Sequence, residues 1–377
     1  MMQVPFFRPF TGEREIELAT LAIRQNATYL VGELETRLSR YVGAKHAIVT
    51  NNGTAAKHLA LCAIDIKRGD KIVCSVNSFP SVAQVIRQFD AEPVFTDIDE
   101  DDFTMSPVSF EQVVERANSK KLRAAFITHV AGQSADMDAL GAIAKEYNVK
   151  LIDDASRALG SSYKGKLVGT LGTLISCFQI NPQIQKSIAS TGIITTNDDK
   201  IAERARLIRS HALVADSFDR DGDLGYFYDV VDLGQKYDLN SLCAAFSIAQ
   251  LEKWNDLTMR RKKIAEIYDR ELCGVPGVST PVRARDHIFN QYIVKIAKNR
   301  DNFARGMIEH GVKVGLHYIP VHLLSYYKKK YDYRVTDFPV ALRVYGQVLS
   351  LPIYAAMNDD EVAYVCEVVK QVAKTRV

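Results

Sequence analysis

Short apolar runs alternate with helix-period segments through residues 40–200. A strand candidate at 47–50 precedes a helical segment at 53–64, and the same alternation then recurs. The further strand candidates are the apolar runs at 71–74, 93–96, 124–128 and 149–152. Because strand–helix–strand repetition lays strands parallel with helices on both faces, the pattern predicts an α/β fold. Ligand-binding and catalytic groups are then expected at the carboxyl ends of the strands.

The pattern becomes mainly helical from about residue 199. Asp198 or Asp199 is placed to cap one helix, and Asn240 is placed to cap another. The apolar positions expected on these two helices are 201, 205, 208 and 213, and then 242, 246, 249 and 254. The last 110 or so residues mix a strand candidate at 291–294 with helices. We therefore predict a large α/β domain over 1–250 and a small α+β domain over 251–377.

Composition narrows the class of protein. A length of 377 residues exceeds one ordinary core, and a net charge of +3 gives no reason to expect nucleic acid or an anionic membrane as a partner. The six cysteines are scattered without a C-x-x-C pair, which argues against a metal site or a redox motif. The chain has no signal-peptide pattern and no apolar stretch of about 18 residues, so we expect a cytoplasmic protein.

Two strand ends carry candidate binding groups. Gly53 and Thr54 open a helix directly after a strand, where free N–H groups and the helix dipole favour a phosphate. An ordinary turn with Thr54 as the cap is the alternative. Asp154 ends another apolar strand, where a buried carboxylate needs a partner. That partner is a ligand cation, the next helix, or Arg157.

Several motifs occur in an order that is typical of one family. They are N-G-T-A-A at 52–56, H-V-A-G-Q at 129–133, D-D-A-S-R-A at 153–158, the helix from Glu203 to His211, and H-Y-I-P-V-H at 317–322. Together they resemble the DegT/StrS family of pyridoxal-phosphate (PLP) sugar aminotransferases over nearly the whole chain. The resemblance implies a type I aminotransferase fold, with a mainly parallel seven-stranded sheet and a smaller C-terminal α+β domain. It also implies a homodimer and a nucleotide-linked sugar as substrate.

The same resemblance implies where the cofactor would lie. Asp154 would pair with the pyridine nitrogen, and Phe79 would stack on the ring. Arg157 stands where the family has glutamine, and Gln179 replaces a serine that helps to hold the phosphate. The implied cofactor-binding residues are Gly53, Thr54, Ala55, Phe79, Asp154, Arg157 and Gln179.

One required residue is missing from the family's active-site segment. When the chain is aligned on Phe178 and Gly192, the family's Schiff-base lysine falls on Ile184, which has no nitrogen. PLP catalysis in this family needs that amine to hold the aldehyde and to move a proton. Further departures in the same region are Ser190-Thr191 for Glu-Gly, Lys236 for asparagine and Asp238 for arginine, and Asp238 is expected to repel a diphosphate. The clustered losses predict that no cofactor is covalently bound.

Other groups remain as candidates for chemistry. Lys186 follows two residues after Ile184 and would serve as the imine lysine if PLP is used; non-covalent PLP or its amine form, PMP, also stays open. His317, His322 and His129 are candidate acids and bases, and Tyr318 with His317 is a candidate for binding the substrate. The alternative for these side chains is packing between the two domains.

Three functional hypotheses follow. The first is a divergent homologue that binds or acts on a nucleotide-linked sugar without lysine-bound PLP, including acid–base isomerisation. The second is an active PLP aminotransferase that uses Lys186. The third is a non-catalytic subunit that pairs with an active paralogue.

Overall fold

The computed structural model describes residues 2–117, 119–180, 189–215 and 228–376. Ile184 and Lys186 lie outside the described residues, so the predictions that concern them stay predictions. The helices are α1 (Glu13–Arg24), α2 (Leu30–Val42), α3 (Gly53–Ala63), α4 (Ser81–Gln88), α5 (Pro107–Ala117), α6 (Met137–Glu146), α7 (Asp199–Arg209), α8 (Ser241–Glu252), α9 (Trp254–Leu272), α10 (Arg300–Glu309), α11 (Ser325–Tyr331), α12 (Pro339–Gln347) and α13 (Asp359–Arg376). In the described ranges none of these helices is both long and apolar enough to cross a bilayer.

The strands form one large sheet and several small ones. They are β1 (His46–Thr50), β2 (Lys71–Ser75), β3 (Glu92–Thr96), β4 (Leu122–Thr128), β5 (Lys150–Asp154), β6 (Ser162–Tyr163), β7 (Lys166–Leu167), β8 (Ile175–Ile180), β9 (Thr191–Thr196), β10 (Leu213–Ala215), β11 (Tyr228–Val230), β12 (Val278–Ser279), β13 (Tyr292–Ile296) and β14 (Val348–Leu351). The large sheet has seven strands in the order β1-β9-β8-β5-β4-β2-β3.

The large sheet is parallel from β8 to β3, whereas β9 runs antiparallel to both β8 and β1. The predicted α/β fold with a mainly parallel seven-stranded sheet is therefore confirmed. In its register Thr128 at the end of β4 pairs with Asp154 at the end of β5, and Asp154 pairs with Cys177 of β8. The carboxyl ends of three neighbouring strands thus meet at one edge, which is where the candidate groups lie.

Both faces of the sheet are buried, as the continuous apolar strands require. On one face, side chains such as Ile48 and Phe126 pack with apolar residues of α3, α4 and α7. On the other face, Ile193 packs with α2 and α8, and Ile127 packs with α5 and α6. Helix α3, which leads into the site, is therefore held rigidly against the sheet.

A separate apolar core surrounds the antiparallel sheet β12-β13-β14. It includes Tyr268 in the second half of α9, Tyr292 of β13, and residues of α10 and α13. Val4 also packs there, so the first few residues of the predicted 1–250 domain belong by packing to the C-terminal core. The division near residue 250 itself stays a prediction.

Two helix boundaries differ from the sequence prediction. Helix α7 ends at Arg209, because His211 and Ala212 have φ of 60° and 52°, which a right-handed helix cannot contain. Leu213 was predicted on that helix, but it starts β10. Trp254 was predicted on the helix capped by Asn240, but it begins α9, because Lys253 leaves helical geometry between the two helices.

Candidate functional site

A cavity of about 240 Å³ lies at the carboxyl edge of the large sheet. Its walls come from the first turns of α3, the ends of β4, β5 and β8, and the segment that carries Tyr318. The lining residues are Asn52, Gly53, Thr54, Lys57, Phe79, Ser81, Thr128, His129, Val130, Ala131, Asp154, Ser156, Arg157, Gln179, Ser190 and Tyr318. Most of the sequence-predicted residues are therefore brought together, and they lie where an α/β sheet usually binds its ligand.

The start of α3 is capped and covered. Asn52 Oδ1 accepts a hydrogen bond from the backbone N–H of Ala55 at 2.9 Å, so Asn52 rather than Thr54 is the cap. Ala55 is buried, with its N–H already used. A Cβ on Gly53 would lie 2.5 Å from Gln179 Oε1, so the Gln179 amide rests directly on this helix end. Gln179 also donates from Nε2 to Ser190 Oγ at 3.2 Å.

The carboxylate of Asp154 is held by a residue that the sequence analysis did not single out. Lys57 Nζ lies 3.2 Å from Asp154 Oδ1 and donates to Ser156 Oγ at 2.8 Å. Ser156 Oγ in turn donates to Asp154 Oδ1 at 2.5 Å. The Lys57 and Asp154 side chains are 4% and 6% exposed, so this is a buried ion pair with its own hydroxyl bridge. The pair supplies within the chain the positive charge that a buried carboxylate needs.

Arg157 was predicted as a possible partner of Asp154, and that prediction is wrong. Its Nε donates to the hydroxyl of Tyr318 at 2.8 Å, and its Nη1 donates to Asn290 Oδ1 at 3.0 Å. The guanidinium therefore joins the strand-end loop after β5 to the C-terminal half of the chain. Tyr318 also meets Phe79 edge to face across the cavity, at 6.2 Å between ring centroids.

The three candidate histidines are placed differently. His129 lines the cavity, but its Nδ1 accepts from the backbone N–H of Ala135 at 3.0 Å. Its Nε2 lies 3.2 Å from Asp153 Oδ1, which is close enough for an ion-pair contact but outside hydrogen-bond geometry. Both ring nitrogens thus face protein groups rather than the open volume.

His317 and His322 lie outside the cavity lining, and His317 is half-buried whereas His322 is buried. His317 Nδ1 lies 2.8 Å from Ser350 Oγ, and its ring stacks on Phe6. Burial, reinforced by the charge of Arg157, lowers the pKa of His317 to about 3. His322 is fully buried beside Phe338, with Nε2 3.3 Å from the carbonyl oxygen of Val335. Neither histidine is among the residues that line the cavity, and their catalytic role stays a prediction.

The substitutions at Lys236 and Asp238 compensate each other. Lys236 Nζ lies 2.8 Å from Asp238 Oδ2, and Ser210 Oγ donates to Asp238 Oδ1. Burial alone would raise the pKa of Asp238, but the hydrogen bonds from Lys236 and Ser210 and the charge of Arg209 hold that pKa below its ordinary value. The carboxylate is therefore already balanced locally, which weakens its predicted repulsion of a diphosphate.

Lys57 is the main site residue that the sequence analysis missed. The signal was present, because Lys57 is the one charged residue in the otherwise small and apolar run from Gly53 to Ala63, apart from His58. A lysine on a helix that is buried nearly all round is rare unless it is paired. Thr128 and Asn290 carried no such signal, since each lies in an ordinary polar context along the sequence.

Comparison with known proteins identifies the relatives of this arrangement. The sequence profile of the DegT/DnrJ/EryC1/StrS aminotransferase family matches residues 14–370. The spore coat polysaccharide biosynthesis protein SpsC of Bacillus subtilis is 32% identical over 383 residues, which cover 98% of this chain and 97% of SpsC. An uncharacterized protein of Methanocaldococcus jannaschii, MJ1066, is 32% identical over 380 residues, with the same two coverages.

The fold also matches solved structures. Spr1654 from Streptococcus pneumoniae, in its PMP form, superposes with a TM-score of 0.92 over the whole of both chains, at 23% sequence identity. A structural likeness at this sequence identity supports the fold alone. The family assignment rests on the profile match and on the relatives that are 32% identical.

Proposed function

The chain belongs to the DegT/DnrJ/EryC1/StrS aminotransferase family, and from this premise we propose that it binds a nucleotide-linked sugar without lysine-bound PLP. The single observation that carries the proposal is the buried pair of Lys57 and Asp154. The family resemblance assigns Asp154 to the pyridine nitrogen of the cofactor. In this chain an ammonium group already neutralises that carboxylate, and a second cation would have to displace it.

The other end of the implied cofactor site supports the same proposal. The resemblance assigns the start of α3 to the cofactor phosphate, and the Gln179 side chain lies against Gly53 at this point. A phosphate there would have to move an amide that is tied to Ser190. The residues present do not fit PLP as the family holds it.

The placement of the histidines favours binding over acid–base isomerisation. His317 and His322 lie outside the cavity lining, and both nitrogens of His129 face protein groups. What remains in the cavity suits a sugar ring: hydroxyl, amide and charged groups for its hydroxyls, and the exposed ring of Phe79 for its apolar face. Two other hypotheses remain, an aminotransferase that uses Lys186 and a non-catalytic partner subunit. The test below distinguishes both of them from the proposal.

The test uses the full-length protein. It is incubated with PLP or PMP, its absorbance spectrum is recorded, the sample is reduced with borohydride, and any modified lysine is mapped by peptide mass. Binding of UDP- and dTDP-linked sugars is measured by calorimetry in parallel. We expect no cofactor band, no pyridoxyl-lysine, and saturable binding of a nucleotide sugar.

Three results would overturn the proposal. A pyridoxyl group on Lys186 would establish the aminotransferase hypothesis. A pyridoxyl group on Lys57 would show that the ion pair opens for the cofactor. Absence of binding for every nucleotide sugar, together with co-purification of an active paralogue from the native host, would establish the partner-subunit hypothesis.

We also propose a homodimer in the cytoplasm. The family resemblance supports the dimer, and so does a row of exposed apolar side chains in the segment before α8, including Tyr228, Val230 and Leu233. Light scattering on the purified protein tests this, and a monomer at micromolar concentration would contradict it.

A further inference from the structure

Arg157 is a buried cation on the cavity wall, and no carboxylate pairs with it among the residues that the structure describes. The residue is 8% exposed and lines the cavity. Across the described ranges, no Asp or Glu oxygen forms a salt bridge with its guanidinium within 4.0 Å. Within the described part of the chain, its side-chain hydrogen bonds go to neutral acceptors, the Tyr318 hydroxyl and the Asn290 amide. A buried charge of this kind is costly unless it is paired.

The guanidinium also has donors to spare. An arginine side chain offers about five N–H donors in a planar arrangement, and two of them are used in hydrogen bonds to described residues. The Arg157 side chain lines the cavity, so we expect a ligand there to reach the remaining donors. A planar fork of this type pairs best with a carboxylate or a phosphate.

The charges of the cavity wall point to a single negative charge on the part of the ligand that enters the cavity. Among the residues that the structure describes, the lining contains two cations, Lys57 and Arg157, and one anion, Asp154, apart from His129, whose ring faces Asp153. Lys57 and Asp154 cancel each other, which leaves one positive charge. A carboxylate carries one negative charge and would balance it, whereas a phosphate at neutral pH carries more and would also face Asp154.

A second feature of the wall is an unpartnered hydroxyl. Thr128 Oγ1 is buried, lines the cavity and has no hydrogen-bond partner among the described residues. Buried hydroxyls are normally paired. Thr128 stands at the end of β4, directly beside Asp154 in the sheet register, and its hydroxyl meets a ligand in the cavity once the neighbouring side chains shift.

We propose that the cavity binds a sugar acid, with its carboxylate paired to Arg157 and one of its hydroxyls bonded to Thr128. This inference rests on the proposed function and narrows it, because the nucleotide-linked sugar would carry a carboxylate, as in a uronate. The Phe79 ring forms the apolar wall against which such a ring would pack.

Burial of an arginine does not by itself indicate a carboxylate-binding site, as Arg261 demonstrates. Arg261 is equally buried, but its guanidinium contacts the Ile288 carbonyl, the Thr258 hydroxyl and the face of the Trp254 ring. It does not line the cavity. Arg261 therefore supplies a matched control, a second buried guanidinium that pairs with no carboxylate in the described ranges.

The experiment compares UDP-glucuronate with UDP-glucose by calorimetry, because the two differ only in the carboxylate at C6. We expect the wild-type protein to bind UDP-glucuronate about 10-fold to 100-fold more tightly, the range given by charge-assisted hydrogen bonds. Arg157→Gln, which introduces the residue of the family at this position, should bring the affinity ratio within the variant to about one. Arg261→Gln should keep the wild-type ratio even if its melting temperature falls.

The possible failures are distinguishable. Two results would overturn the carboxylate subsite and leave the proposed function standing. The first is that the wild-type protein binds UDP-glucuronate and UDP-glucose equally tightly, and the second is that Arg157→Gln keeps the wild-type ratio of the two affinities. If neither nucleotide sugar binds, the proposed function falls, and free glucuronate against free glucose becomes the probe. Binding of free glucuronate that Arg157→Gln abolishes would then support the subsite, and no binding of the free acid would overturn it too.

Discussion

The ammonium of Lys57 lies 3.2 Å from the carboxylate of Asp154, and Ser156 hydrogen-bonds to both groups. Lys57 lies in the second turn of α3, and Asp154 lies at the end of β5, nearly a hundred residues later along the chain. The pair therefore ties α3 to β5 at the centre of the site, and it sets the charge that any ligand meets.

The first prediction concerns the stability of this pair. Lys57→Met should lower the free energy of unfolding by about 3 kcal/mol, because it leaves a buried carboxylate without its counter-charge. Asp154→Asn should have a similar effect. The double variant should lose less than the sum of the two, with a coupling of about 1–3 kcal/mol in urea denaturation.

An exposed pair provides the control for this cycle. Lys164 and Asp138 form an ion pair at the surface, and Lys164→Met should cost less than about 1 kcal/mol. Additive effects at Lys57 and Asp154 would show that the two side chains are not energetically paired in solution.

The second prediction concerns recovery of the cofactor. Ile184→Lys restores the amine that the family requires, but Lys57 and Gln179 still occupy the two ends of the implied site. We expect this variant alone to yield little pyridoxyl-lysine after borohydride reduction. Adding Lys57→Leu and Gln179→Ser should raise the yield at least about tenfold, since it frees the carboxylate and the helix end.

Peptide mass spectrometry measures the yield, and Ile184→Met with the same two changes is the control that lacks the amine. If Ile184→Lys alone bound the cofactor as well as the combined variant, Lys57 and Gln179 would not be the obstacle.

The third prediction concerns pH. Burial lowers the pKa of His287 and of His317 to about 3 in the folded state, against about 6.5 when unfolded. Below pH ~6.5 the unfolded chain binds these protons and the folded chain does not. The free energy of unfolding should therefore fall with falling pH, by about 1.4 kcal/mol per pH unit for each histidine.

Urea unfolding between neutral pH and about pH 5 measures this slope while most carboxylates stay ionised. His317→Asn should reduce this slope by the contribution of one histidine, about 1.4 kcal/mol per pH unit. An unchanged slope, or ring protons of His317 that titrate near pH 6 by NMR, would contradict its buried neutral state.

The fourth prediction concerns Gly192, which follows the departure at Ser190-Thr191. A Cβ at this position would lie 2.1 Å from the backbone oxygen of Asn52, so Gly192→Ala must displace the turn that caps α3. We expect a loss of about 3 kcal/mol in the free energy of unfolding. Gly141→Ala is the matched control, because a Cβ there meets nothing within 4 Å on α6 and the change should stabilise slightly.

The sequence predicted the architecture well, because apolar periodicity and strand-end motifs report on burial directly. The strand candidates at 47–50 and 149–152 correspond to β1 and β5. Side-chain partners were harder to predict, since they depend on which groups the fold brings together. Arg157 is near Asp154 in sequence, yet the geometry of the loop turns it toward Tyr318 and Asn290.

Lys57 is the opposite of Arg157, because it is far from Asp154 in sequence but close to it in the structure. It is 97 residues from Asp154 along the chain, and only the pairing of α3 with the end of β5 makes them neighbours. The placement of the histidines was hard to predict for a related reason. A motif such as H-Y-I-P-V-H fixes the residue types but not the direction in which each side chain points. Tyr318 faces the cavity while its neighbour His317 faces Ser350.

The ion pair inside the cavity has a consequence for the living cell. A protein whose buried charges are balanced only by a bound cofactor gains stability from that cofactor and loses it when supply runs short. Here the positive charge that balances Asp154 belongs to the chain itself, because it is the ammonium group of Lys57. The amount of folded protein should then be independent of vitamin B6 nutrition, so the abundance of this protein would hold steady in starved cells while that of PLP-dependent relatives declines.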